Sequence, residues 1–165
     1  MHQARVNNDL SDTTSNAAEL LNEHAQSRII LVCEHASKHF PKRYNDLGLS
    51  EADKTSHAAW DPGALRLSVK LSKLLDAALV ASTVSRLVYD CNRPPTSPDA
   101  MRDVSEKIKI PGNKNLTQAQ IRERVDTVYL PFVDLLSQTI KKRRNAPIIV
   151  TIHSFTKNYN GQERD

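Results

Sequence analysis

Residues 29–41 read IILVCEHASKHFP. The first part, Arg28 to Cys33, is apolar and β-branched, too short for a helix and bounded by polar residues, so it reads as a strand buried on both faces. Directly behind it stand Glu34 and His35. An apolar run that delivers a carboxylate and an imidazole to its own carboxyl end places them where open α/β sheets bind ligands.

Outward from that strand, ALVAS (78–82), RLVYD (86–90) and PIIVTIH (147–153) offer three more, the last ending on His153. Between them lie helical patterns. A short helix is expected over 14–26. Ser50 with Asp53 three residues on has the form of a capping box, opening a helix through Ala59. Ala64, Leu67, Leu71, Leu74 and Leu75 make an apolar stripe on a helix that starts near Asp61. Thr117 and Gln120 form a second capping box before a long amphipathic pattern, Ile121, Val125, Val128, Phe132, Leu135, Leu136 and Ile140, which Pro131 is expected to kink or split. Pro94 to Pro98 and KIKIPGN (107–113) read as loops. Strands alternating with helices predict an α/β fold, a mostly parallel or mixed sheet flanked by helices in three layers. Residues 1–12 read as a flexible tail and 13–165 as a single domain.

Composition narrows the function. With 39% apolar and 25% charged residues the chain is of ordinary globular type, and no apolar run approaches the ~20 residues of a membrane span. The opening residues carry no apolar segment of signal-peptide kind, so the expected location is the cytoplasm and no membrane partner is expected. Cys33 and Cys91 are the two cysteines, far apart, which excludes a disulfide framework or a cysteine zinc site and makes both core thiols. The net charge of +4 favours anionic partners, and the run Lys141 to Arg144 suits a helix C-terminus. Nucleic acid is not the expected partner, because 5% aromatic residues leave few stacking platforms.

Polar residues cluster at the strand ends. A histidine after each of two strands with a carboxylate beside them is a ligand set that zinc favours when one position stays open for water, so Glu34, His35 and His153 are the candidate metal ligands. The plain alternative is two strand-end histidines that hydrogen-bond to loops. Glu34 can share a metal with His35 only if the strand has ended there; otherwise it is a base or an outer partner. In HAAWDPGA (57–64), His57 and Asp61 are catalytic candidates, His57 as a proton shuttle or else a third metal ligand, and Asp61 equally suited to cap the helix that Pro62 opens. Trp60 reads as a packing residue. In SRLVYDCNRPP (85–95), Arg93 with Asn92 suits a substrate carboxylate, Arg86 a second acidic group, and Ser154 joins them after the last strand. Arg93 paired with Asp90 to hold the proline loop is the structural alternative.

These residues resemble the N-formylglutamate amidohydrolase family. The likeness runs from about Ile29 to Gly161 and rests on CEHAS, GLSEAD followed by HAAWDPGA, SRLVYDCNRP, IPGN and IHSF in that order. It implies a zinc-dependent hydrolase on a fold similar to zinc-dependent exopeptidases, cleaving N-formyl-L-glutamate, a small anionic acyl-amino acid, to formate and glutamate in a route of histidine degradation. It implies one Zn2+ held near His35 and His153, with Asn92 and Arg93 binding carboxylate. Two departures stand out. Family chains extend further, so this one reads as truncated at its C-terminus, without any late catalytic glutamate and with an apolar sheet edge that invites association of copies. And Lys157 stands where a proline often follows HSFT. The rival reading is a non-catalytic remnant that binds metal or an acidic amino acid.

Overall fold

A computed structural model describes residues 17–143, 145–156, 158–159 and 162–163. In chain order the strands are β1 (Ala18–Leu21), β2 (Ile29–Cys33), β3 (Ala78–Ser82), β4 (Val104–Ser105), β5 (Ile108–Lys109), β6 (Ile148–Thr151), β7 (Asn158–Tyr159) and β8 (Gln162–Glu163). The helices are α1 (Glu51–Thr55), α2 (Ala64–Leu74), α3 (Gln118–Arg124) and α4 (Leu130–Lys141). Four strands make the main sheet in the order β1-β3-β2-β6, with β2 parallel to both β3 and β6 and β1 antiparallel to β3. The fold is thus α/β with a mixed sheet. Since β2, β3 and β6 run the same way, their carboxyl ends share one edge, and the loops carrying His35, Arg86 and His153 all leave from it.

Side chains alternate along each strand. Ile30, Val32 and Val80 face Val128 and Phe132 of the α3–α4 layer, whereas Leu31, Cys33, Leu79 and Ala81 face Ala64 of α2 on the other side. β2 and β3 are therefore buried on both faces, as their unbroken apolar sequences require. β6 lies at the sheet edge, and Ile148 and Ile149 are 44% and 48% exposed. Among the described residues no helix is long and apolar enough to cross a membrane.

Several sequence expectations need correction. The segment expected to be helical over 14–26 holds β1; residues 14–16 and the tail lie outside the described residues. Helix propensities differ by at most about 0.7 kcal/mol per ordinary residue. Pairing Ala18 through Leu21 with β3, and burying Ala18, outweighs that preference. Leu87, Val88 and Tyr89 are as buried as a strand but form turns, because side chains take over the ladder's work: Asn113 donates to the Leu87 carbonyl and Arg124 to that of Val88. On α2 the buried face is Ala64, Ser68 and Ser72, while Leu67 and Leu74 point outward. The two serines are tolerated there because each donates to a carbonyl of its own neighbourhood, Ala64 and Ala77. KIKIPGN is not all loop, since Ile108 and Lys109 pair with β4.

Both capped helix starts form: Ser50 accepts from the Asp53 amide, and Thr117 and Gln120 cap reciprocally. α1, however, ends at Thr55 rather than Ala59. Pro131 does not split its helix. A π turn at Val125–Tyr129 joins α3 to α4 and, one turn before the proline, gives its ring room at the carbonyls it would otherwise strike.

Arg124, 4% exposed, links this helix to the loops. Its guanidinium donates to the Val88 carbonyl, to Asn113 Oδ1 and to the Gly112 carbonyl, and lies 5.2 Å from the Tyr44 ring. Gly112 is obligatory there, since a Cβ would come within 2.8 Å of the Leu47 backbone.

Candidate active site

Backbone hydrogen bonds bring the site together before any side chain acts. The Asp61 amide donates to the His35 carbonyl, pinning the loop before α2 against the end of β2. The Ile152 amide donates to the Val32 carbonyl, which continues the β2–β6 pairing and sets His153 beside His35, their ring centroids 4.9 Å apart. The Arg86 amide donates to the Ala59 carbonyl and so brings the loop after β3 to the same place.

Asp61 is the hub. It does not cap α2, whose N-cap is Gly63 at φ 84; its side chain turns instead toward the strand ends. Oδ2 lies 3.3 Å from His35 Nδ1 and 3.0 Å from His153 Nδ1, and accepts the Ser154 amide at 3.3 Å. Oδ1 accepts from Arg86 at 3.3 Å. Asp90 forms an outer counterpart: Oδ1 is 2.8 Å from His35 Nε2 and accepts the Asn92 amide, while Oδ2 accepts from Arg86 at 3.2 Å. On the far side of His153, Nε2 is 3.6 Å from Glu34 Oε2, too far for a hydrogen bond, and that buried oxygen has no partner among the described residues.

The electrostatics follow from these contacts. Burial pushes the His35 imidazole down, but Asp61 and Asp90, one at each ring nitrogen, outweigh it and hold the ring above its ordinary value. Burial pushes both carboxyls up, and the His35 bonds together with Arg86 bring each below the usual carboxylate range. Glu34, Asp61 and Asp90 are all buried, and Arg86 is the permanent cation among them. With a carboxylate at each ring nitrogen, His35 favours its charged form beside Arg86, and a divalent cation bound there would take the place of that proton. His35, Asp61 and His153 each offer a ligand atom, all within 4.8 Å of one another, and are the group of described residues able to hold a metal.

The cleft beside this group is lined by His35, His57, Asp61, Arg93, Arg102, Glu106 and Ser154, among others. His57 lines the same cleft but is not one of the three grouped ligands, and its Nε2 lies 2.6 Å from Glu106 Oε1. Arg86 is occupied by Asp61 and Asp90 instead of standing free for a second acidic group. Arg93 and Asn92 are exposed, Arg93 on the cleft wall, and the Asp90 carboxylate pairs with Arg86, its carbonyl accepting the Arg93 amide. Ser154 reaches Asp61 through its backbone amide. Trp60 packs against the core and donates to the Thr55 carbonyl. Sequence reading did not single out Arg102 or Glu106, whose segment carries no local signal beyond its charges. It placed Asp61 outside the ligand set, because contacts across 26 and 92 residues leave no trace in spacing.

A family model described as N-formylglutamate amidohydrolase matches residues 27–165. Among solved structures, the crystal structure of a gene product from Agrobacterium tumefaciens is similar at TM-score 0.87 and 48% identity, over 90% of this chain and 60% of that one. The chain therefore spans about 60% of the length of that relative. No curated protein matches it.

Proposed function

This chain belongs to the N-formylglutamate amidohydrolase family, and we propose on that premise that it is a zinc-dependent hydrolase splitting N-formyl-L-glutamate into formate and L-glutamate. The observation that carries the reading is the convergence of His35, Asp61 and His153, whose ligand atoms lie within 4.8 Å of one another. His35 and His153 would hold the ion through Nδ1 and Asp61 through a carboxylate oxygen, with Asp90 and Glu34 behind the two Nε2 atoms. Carboxylates behind metal-bound imidazoles fix the ring tautomer and raise ligand basicity. The orphaned oxygen of Glu34 fits this outer place, since it lacks a partner until His153 carries its proton on Nε2. Glu34 is then an orienting group, not the base.

A bound zinc supplies Lewis acidity toward the acyl oxygen and lowers the pKa of a coordinated water to about 7. The chain's own residues do the rest. Arg93, with Asn92, holds the α-carboxylate of the substrate at the cleft mouth by the paired donors of a guanidinium. Arg86 keeps Asp61 and Asp90 aligned so that His35 presents Nδ1 inward. His57, on the wall of the same cleft, takes the proton released as water attacks and returns it to the departing nitrogen.

The test is elemental analysis of the purified chain beside His35→Ala and His153→Ala, with formate release from N-formyl-L-glutamate assayed in the same samples. Near-stoichiometric zinc, lost in both variants together with turnover, is the expected result. Zinc without turnover would reassign the chain to binding metal and an acidic amino acid, and a wild-type chain without zinc would overturn the reading.

A further inference from the structure

The hairpin of β4 and β5 turns through Glu106 and Lys107, with Ser105 opposite Ile108. Glu106 takes φ 54 in that turn. Such left-handed positions in two-residue hairpins favour glycine, asparagine or aspartate, and a longer L side chain is strained there. Glutamate in this place has one visible return: Oε1 lies 2.6 Å from Nε2 of His57, 49 residues away in the sequence. The Glu106 side chain is 19% exposed and the His57 side chain 40%. Glu106 is the one hydrogen-bond partner of the His57 ring among the described residues. Both side chains line the cleft that holds His35, Asp61 and His153.

We propose that Glu106 is a positioning residue that acts through His57, the hairpin serving as the arm that holds the proton carrier of the cleft in one tautomer. This rests on the hydrolase reading and deepens it. With Nε2–H donated to Glu106, the lone pair of His57 is on Nδ1. As the water oxygen bonds to the acyl carbon, its proton passes to Nδ1; as the C–N bond breaks, that proton passes from Nδ1 to the leaving nitrogen. His57 ends as it began, and Glu106 bonds to neither water nor substrate.

The experiment uses the full zinc-loaded chain with isotopically labelled histidine. Long-range proton–nitrogen spectra should show His57 fixed as the Nε2–H tautomer in the wild type and in Glu106→Gln, which keeps an acceptor oxygen, and averaged between tautomers in Glu106→Ala. In the assay, Glu106→Ala should lower kcat by about 10–100-fold, a part of the ~100–10,000-fold that a positioned proton carrier contributes, with KM changed by less than about twofold; in a His57→Ala background it should cost nothing further. A wild-type His57 that averages its tautomers overturns the proposal, as does a Glu106→Ala penalty equal in both backgrounds. Absence of turnover in the wild type would instead sink the hydrolase reading, and the spectra alone would then decide the pairing.

Discussion

Two buried polar clusters lie on this small sheet, and they are built on opposite terms. Around Arg124 one cation meets only neutral acceptors, the carbonyls of Val88 and Gly112 and the amide oxygen of Asn113, with the Tyr44 ring nearby. Around Asp61, two carboxylates share the Arg86 guanidinium, and Glu34 beside them keeps a buried oxygen with no hydrogen-bond partner among the described residues. In the first cluster, among the described residues, no buried polar side-chain atom lacks a hydrogen-bond partner. The second leaves a buried carboxylate oxygen of Glu34 unbonded among the described residues and depends on the protonation of His35 for its balance. Burial alone therefore does not separate a structural polar cluster from a functional one, whereas satisfaction of its groups does.

Replacing Arg124 by alanine should break the saturated cluster and give the largest stability loss, about 3–5 kcal/mol, since several buried acceptors lose their donor together. Urea unfolding reads this, and the folded fraction should still take up zinc. The unsaturated cluster should respond to metal instead. Zinc at a hundredfold over its Kd should stabilise the wild type by about 2.7 kcal/mol, and Asp61→Asn should abolish that gain in a thermal melt.

A subtler comparison comes from Asp90→Asn, which leaves the ligand atoms in place. Zinc affinity should fall by about 10–100-fold, measured by competition with a chelator. Smallest is the effect of Glu34→Gln on the metal-free chain, a change within about 1 kcal/mol and in the stabilising direction, because one repelling charge goes. A large loss there would mean that Glu34 has a partner in the metal-free state.

The metal-free chain should also show a pH signature. His35 is held above its ordinary value, so its contribution is present below the unfolded imidazole pKa and disappears as pH rises through the folded one. Asp61 and Asp90 are held below theirs, so their contribution is present above the unfolded carboxylate range and disappears in acid. Stability from this cluster should peak on the mildly acidic side of neutrality, and zinc should add most above it, where no proton has to leave His35. Urea midpoints across pH, with and without zinc, check the crossing.

The parts of the fold legible in the sequence are those where local pattern and tertiary demand agree. β2 and β3 are apolar because they are buried on both faces, and the Ser50 and Thr117 caps form because their hydrogen bonds are local. β1 was hidden, since AELL is good helix sequence that a neighbouring strand recruits. Leu87 to Tyr89 looked like a strand because burial was legible, while the side chains that replace the ladder come from Asn113 and Arg124. The site divides likewise. That His35 and His153 end neighbouring strands could be read; that Asp61 stands between them, or that a hairpin brings Glu106 to His57, depends on contacts that no spacing rule carries.

β6 has a further consequence. Among the described residues it is held to the sheet by β2 alone, and His153 stands two residues past its end. An edge strand opens more readily than a central one, so this candidate ligand is mounted on one of the two edge strands of the main sheet. An ion shared by Asp61 and His153 would act as a clasp, fastening that strand to a loop 92 residues away in the chain. Hydrogen exchange along Ile148–Thr151 would then become a gauge of whether the clasp is closed.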